Sequence, residues 1–358
     1  MTFVIGRSDT NGTDGPAGNL GTYRALDGSR GASLQLDFDR PHAILIVGKR
    51  GYGKSYTLGV IAEELARCPG VAPVLVDVMG IFSSVRGDLR DDPIPTTVIE
   101  SPQIAPSALD PRSWCELVGL SPESGVGSLV WQATSRATTL DGITRQIQDA
   151  ESPPGNTRAA INHVELARSW GVFSDDGLVA ADLAGPELSI LDVSRMDDAA
   201  MNAITLGIGS QLYRARVVES VDRLPWLLID EAHTFFDGIA KQALRTIVTR
   251  GRAPGVSVVT ATQRPSAIPP VAISQSDILI SHRLTAHRDL EALERAQPTY
   301  LNSSLEERMP TAPGEVIIVD DETESVHAAQ IRTRETPHGG SSPRASTVEI
   351  DDHSTSPG

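Results

Sequence analysis

Residues 43–55 constrain this chain more than any other stretch. Five consecutive apolar residues, Ala43–Val47, run directly into Gly48-Lys49-Arg50-Gly51-Tyr52-Gly53-Lys54-Ser55. An unbroken apolar run suits a strand covered on both faces, so it predicts a buried strand of a parallel sheet. The turn after it satisfies G-x-x-x-x-G-K-[ST], and a helical pattern follows to about Arg67. Glycines let backbone N–H groups curl inward around phosphate oxygens, and the helix N-terminus adds partial positive charge there. In such a loop the lysine, Lys54, reaches the β- and γ-phosphates and the hydroxyl of Ser55 ligates Mg²⁺. The expected nucleotide cradle is therefore Gly48, Lys49, Arg50, Gly51, Tyr52, Gly53, Lys54, Ser55 and Tyr56.

A second apolar run, Leu224–Ile229, ends in Asp230 and Glu231. Ligands of open α/β sheets bind at the carboxyl ends of the strands, so these two acids are expected beside the phosphates. Asp230 can hold a Mg²⁺-bound water, and Glu231 can take a proton from the attacking water. A strand ending in acids is common by itself; together with residues 48–55 it specifies a hydrolytic site. The chain has three lysines, Lys49, Lys54 and Lys241, none in an Asn-Lys-x-Asp motif, and it lacks LSGGQ. A guanine-nucleotide switch and a transporter-type ATPase are thereby disfavoured, leaving ATP as the expected nucleotide.

Further strands are expected at Leu20–Ala25, Ala32–Phe38, Val74–Val78, Thr96–Glu100, Leu188–Val193, Val256–Ala261, Ile278–Ser281 and Glu315–Val319, with helices near 196–220, 238–250 and 286–297. Alternation of strands and helices implies a mainly parallel α/β sheet. Aromatic residues are only 4%, so its core must be largely aliphatic. The chain divides into a flexible leader (6–18) and short hairpin within 1–40, a phosphate-loop half (41–104), a helical insertion (105–187), an acidic-strand half (188–334) and a disordered tail (335–358). The hairpin turn is expected at Asp27-Gly28-Ser29, and Trp114, Trp131 and Trp170 are expected to pack the insertion.

The net charge of −15 argues against a chain that coats nucleic acid over its whole surface, though not against a local basic patch. Few lysines and many acids suit a salt-rich cytosol, hence a halophilic source, and high genomic GC would deplete lysine as well. Two cysteines, Cys68 and Cys115, without metal-ligand spacing, read as reduced buried thiols. No apolar run approaches the ~20 residues of a membrane helix and the start lacks a signal-peptide pattern, so a cytoplasmic location without membrane contact is expected.

From Gly238 to Ser276 there are five basic residues (Lys241, Arg245, Arg250, Arg252 and Arg264) and no acid. Either this is a solvated face or it meets phosphates, from a neighbour's nucleotide or a DNA backbone. Within it stand Arg250-Gly251-Arg252-Ala253-Pro254-Gly255, an apolar strand, and Ala261-Thr262-Gln263-Arg264-Pro265-Ser266. Here the chain resembles the HerA/FtsK superfamily of P-loop translocases, and HerA most closely. The likeness continues through Ile268-Pro269-Pro270, Ser274-Gln275, Arg283-Leu284-Thr285 and Arg288-Asp289-Leu290, and Asp77-Val78-Met79-Gly80-Ile81-Phe82 is similar to that family's Asp-x-x-Gly-Glu-Tyr element. It covers roughly residues 30–330.

The resemblance implies a RecA-like core assembled as a hexameric ring on double-stranded DNA, with ATP bound between subunits. It implies Arg252 as an arginine finger supplied in trans, with Arg250 as the second choice, and Gln263 as the sensor of the γ-phosphate. Lys54, Glu231, Arg252 and Gln263 then form the catalytic set, with Ser55 and Asp230 on the metal. The departures are 47 residues before Gly48 where HerA proteins carry a β-barrel, Ile81 in place of the acid, and bulky Lys49, Arg50 and Tyr52 in the loop. The leading expectation is an ATP-driven DNA motor, with a nuclease or other DNA-processing protein as a possible partner. The alternative is an ATP-dependent assembly scaffold or switch that positions a partner without moving DNA, and a metabolite kinase stands behind both.

Overall fold

The computed structural model describes residues 3–8, 15–25, 29–86, 93–295 and 308–339. Twelve strands form one sheet: β1 (Phe3–Ile5), β2 (Ala17–Arg24), β3 (Arg30–Asp37), β4 (Ala43–Val47), β5 (Val71–Asp77), β6 (Thr96–Ile99), β7 (Leu188–Asp192), β8 (Leu224–Ile229), β9 (Ser257–Thr262), β10 (Ile278–Ser281), β11 (Glu315–Asp320) and β12 (Ser325–Ile331). Their order across the sheet is β1-β3-β2-β12-β11-β10-β4-β9-β8-β5-β7-β6. From β10 to β6 every neighbouring pair is parallel. Beyond β10 the sheet continues through antiparallel pairs to β2–β3, and β1 closes the edge parallel to β3.

The helices are α1 (Lys54–Leu65), α2 (Pro111–Leu117), α3 (Gly125–Arg136), α4 (Leu140–Gln148), α5 (Pro154–Ser169), α6 (Asp198–Val217), α7 (His233–Asp237), α8 (Lys241–Arg250), α9 (Pro270–Ser274) and α10 (His287–Glu294). Side chains alternate across a strand, and the central strands feed two cores. Leu45 and Val47 of β4 join one beneath α6, α8 and the α2–α5 cluster, whereas Ile44 and Ile46 join the other beneath α1. Apolar cover on both faces is why β4 reads as an unbroken hydrophobic run.

Several expectations change. β2 begins at Ala17, inside the segment read as a flexible leader, because it pairs with β3 and β12; residues 9–14 of that segment lie outside the described residues, as do Asp27 and Gly28 of the hairpin turn. β1 and β12 had no clear sequence signal. The helix expected at 238–250 begins at 241, after the separate α7, because Gly238 sits against the Asn202 side chain, whose Oδ1 accepts from the Ala240 amide at 3.2 Å. Trp114 is buried and stacks on Phe173 with centroids 4.7 Å apart, but Trp131 is 44% exposed and packs little. Residues 335–339 are ordered against α1, and 340–358 lie outside the described residues. Cys68 and Cys115 are free and buried. Among the described residues no helix is long and apolar enough to cross a membrane.

At the amino end of β4 a buried polar cluster ties the antiparallel wing to the core. His42 Nδ1 lies 2.7 Å from Asp277 and Nε2 3.4 Å from Asp37, and Arg7 Nε donates to Asp37 at 3.0 Å. Burial alone would lower the His42 pKa, but hydrogen bonds to Asp277 and Asp37 outweigh it and lift it from 6.5 to about 9. A group whose pKa rises on folding contributes fully below its unfolded value and loses that contribution as pH climbs through the folded one. Stability in urea melts should therefore decline between pH 6.5 and about 9, and His42→Gln should flatten that decline while lowering stability at pH 6.

Candidate nucleotide site

The carboxyl ends of three adjacent strands build the site. Val47 is level with Thr262, and Thr260 with Ile229, so the chain leaves β4, β9 and β8 on one edge, into Gly48, Gln263 and Asp230. β9 lies between the loop strand and the acid strand, which places Gln263 between phosphate loop and carboxylates.

The loop turns into α1 through Gly53, whose φ of 110° and the 84° of Gly51 belong to the left-handed region that side chains resist. No side chain caps α1 and its first turn contains no acid. Its opening amides are thus left for an external anion. Neighbouring backbone braces the loop: Lys49 N–H donates to Arg283 O at 2.8 Å and Gly314 N–H to Tyr52 O at 3.2 Å. From beneath, His282 fills the space beside Gly48, where an added Cβ would come 2.5 Å from the His282 Cβ. The His282 Nε2 meets Thr57 Oγ1 at 2.9 Å. Burial, aided by the Lys54 charge, pushes its pKa down to about 3 and keeps the imidazole neutral. Sequence reasoning missed His282, since a lone histidine after a short apolar run carries no motif.

Lys54 is 6% exposed, and burial lowers its pKa while Glu231 and Asp230 pull it back up. Asp230 is fully buried; burial raises its pKa, and a hydrogen bond with the Ser55 side chain opposes the rise. Its Oδ1 accepts from the Glu231 amide at 2.9 Å, whereas Oδ2 has no partner. A hydroxyl beside an unpartnered carboxylate oxygen is the all-oxygen donor set that a hard divalent cation takes, and Mg²⁺ needs only one or two protein ligands. Among the described residues no cluster of three or more His, Cys, Asp or Glu offers a different metal site.

Glu231 adopts a φ of 48°. Such strain in a residue with a side chain costs roughly 1–3 kcal/mol and persists where the surroundings impose it. Burial and then Asp230 raise its pKa, with Lys54, Arg264 and Arg50 opposing. Its buried Oε2 makes no hydrogen bond, and His233 Nδ1 stands 3.4 Å away and 3.3 Å from Thr262 Oγ1. His233 therefore touches the site. Arg264 is a second neighbour that sequence reasoning gave no role at this carboxylate.

Arg252 is elsewhere. It precedes β9, which runs parallel to β4, and so occupies the opposite edge of the sheet from the phosphate loop. Its side chain is 65% exposed and pairs with Glu322 at 3.2 Å. Asp77 also differs in role: its buried carboxylate accepts from the amides of Met79, Ile81 and Phe82, closing the turn after β5. Burial brings its pKa to about 6. Ile81, where the resemblance expected an acid, supplies an apolar wall to the cavity.

That cavity, about 520 Å³, runs from Gly51, Lys54 and Glu231 past Met79 and Ile81 to Gly314 and the segment 330–333. Its volume suits a small-molecule cofactor. A glycine-rich loop on an uncapped helix, a buried lysine and a paired acid on parallel strands define a P-loop ATPase. Residues 25–211, more than half of the chain, match the family described as Helicase HerA, central domain, and the chain belongs to that family. The structure is similar to VirB4 of Thermoanaerobacter pseudethanolicus (16% identity, TM-score 0.65, covering 90% of this chain and 98% of that one). It is also similar to the bacterial conjugative coupling protein TrwBdeltaN70 (11% identity, TM-score 0.58, covering 89% and 90%). No curated protein sequence matches the chain. The fold is thus the RecA-like one, of the HerA/FtsK type.

Removing the Lys54 ammonium should weaken ATP binding by about tenfold or more, the equivalent of one charge-assisted contact. Calorimetric titration of Lys54→Ala, with thermal unfolding unchanged, checks this.

Proposed function

We propose that this chain hydrolyses ATP with Mg²⁺ and uses the energy to move double-stranded DNA, working as a hexameric ring. The observation that carries the reading is the division of the machinery between two edges: Lys54, Ser55, Asp230, Glu231 and Gln263 on one, Arg252 exposed on the other. A closed ring of identical, head-to-tail subunits presents one subunit's far edge to the next subunit's near edge.

In this reading the loop amides and Lys54 hold the phosphates, while Ser55 and Asp230 hold Mg²⁺. When bound, the ion neutralises charge on the β- and γ-oxygens. Glu231, already raised toward the neutral form by its burial, accepts a proton from the attacking water. Gln263 touches the γ-phosphate or that water and passes the change to the loop after β9. Arg252 leaves Glu322 and offsets charge on the neighbour's transferring phosphoryl group. The plasmid coupling protein TrwB, in complex with a non-hydrolysable ATP analogue, has a similar fold (14% identity, TM-score 0.57, covering 84% of this chain and 87% of that one), which supports the nucleotide assignment. The exposed Arg245 and Arg250 on and beside the far edge supply positive charge for a phosphate backbone in a chain of net −15.

Glu231→Gln should keep ATP binding and slow turnover by about 10²- to 10⁴-fold, the range for a lost general base. Arg252→Ala should slow turnover by about 10³-fold or more at unchanged affinity. Mixed Glu231→Gln and Arg252→Ala subunits should recover part of the activity, because some interfaces then pair an intact Glu231 with an intact Arg252. Absence of recovery sinks the in-trans assignment. Long duplex DNA should raise the ATPase rate several-fold and lose that effect as salt increases; a rate indifferent to DNA at every salt concentration favours the scaffold reading over the motor.

A further inference from the structure

After β12 the chain crosses the outer face of α1 and returns to the nucleotide cavity. Glu63, fully buried on α1, anchors this strap: its carboxylate accepts from the Glu335 amide at 3.0 Å, the Thr336 amide at 2.9 Å, the Thr336 hydroxyl at 2.6 Å and Arg332 at 2.8 Å. These donors hold the Glu63 pKa below the usual carboxylate value against the opposing effect of burial. Tyr56 Oη, two turns closer to the phosphate loop, accepts from the Arg334 amide at 2.6 Å. Ser84 Oγ donates to Pro337 O at 2.9 Å and fixes the far end.

Arg334 lies across α1 at Gly59, where an added Cβ would come 2.6 Å from its Cζ. It is 1% exposed, with Nη2 donating to Thr336 and Nη1 placed 3.3 Å from His338 Nδ1. A guanidinium can only donate, so Nδ1 of His338 accepts and its proton resides on Nε2. Burial and then the Arg334 charge lower the His338 pKa, which keeps the ring neutral. His338, Arg332 and Thr333 line the same cavity as Gly51, Gly53 and Lys54 of the phosphate loop.

We propose that residues 332–339 form the nucleoside-facing wall of the nucleotide site, with neutral His338 as a donor to the base or ribose and Glu63 and Gly59 keeping the wall in place. This rests on the nucleotide reading and deepens it: phosphates are held by the loop, whereas the ring system is read by a segment of the chain far from it in sequence. No single motif contains both halves of the site.

The two halves separate in binding measurements with two ligands, ATP and inorganic tripolyphosphate. Gly59→Leu displaces the Arg334 guanidinium, and leucine suits a helix interior better than glycine. His338→Ala removes the donor. Each variant should lose about three- to tenfold in ATP affinity, the range for lost hydrogen bonds, while tripolyphosphate affinity stays within about twofold. Retained tripolyphosphate binding also shows that the variant is folded. Either variant leaving the ratio of the two affinities at its wild-type value overturns the wall. A wild-type chain that binds neither ligand overturns the nucleotide reading itself and the wall with it.

Discussion

The register of β4, β9 and β8 is the constraint on which the site depends. Each strand is buried on both faces and sends apolar side chains into two cores. A slip of one residue would exchange every side chain between two separate close-packed cores, which disfavours other alignments. In it the chain leaves all three strands at one edge, and Gly48, Gln263 and Asp230 fall side by side. Strand pairing and apolar packing thus bring together a phosphate loop, an amide and a carboxylate from distant parts of the sequence. The chain just after β10 adds Arg283 O and His282 as the loop's braces.

Around this frame the protein keeps charges where burial opposes them. Lys54, Asp230 and Glu231 all have pKa values displaced mainly by desolvation. Carboxylate oxygens of both acids are buried without hydrogen bonds. Unpartnered buried polar atoms are costly, and their concentration at one edge, together with the strained Glu231, marks a place kept ready for a charged ligand. The cluster at His42 shows the contrast: buried charge there is met by opposite charge and hydrogen bonds, and it serves the fold.

The opposite edge carries different chemistry. Glu322 holds both Arg40 and Arg252 there, so Arg252 rests in a partly exposed pair of the kind worth little energetically. Such a pair costs little to break, which suits an arginine whose proposed work lies on a neighbouring molecule. The strap anchored by Glu63 places a third contribution on the near edge. Loop, acids and strap come from separate stretches of the chain and meet only at α1.

Much of this was legible in the residues. The apolar pentad before Gly48 and the run ending at Asp230 predicted buried strands, because cover on two faces leaves no polar position to confuse the pattern. Gly51, Gly53, Lys54 and Ser55 declared their chemistry through fixed spacing. Other features left no local mark. β12, with the sequence Ser325–Ile331, is a strand because β11 and β2 pair with it, and the strap after it is ordered because Glu63 accepts its amides. His282 matters through what it packs beneath, and Arg252 through the edge from which it projects. Covalent sequence by itself determined the strands, the loop and the acids, since those depend on neighbours along the chain. Tertiary structure alone decided the braces, the strap and the separation of the two edges, because those depend on residues hundreds of positions apart being held within hydrogen-bond reach.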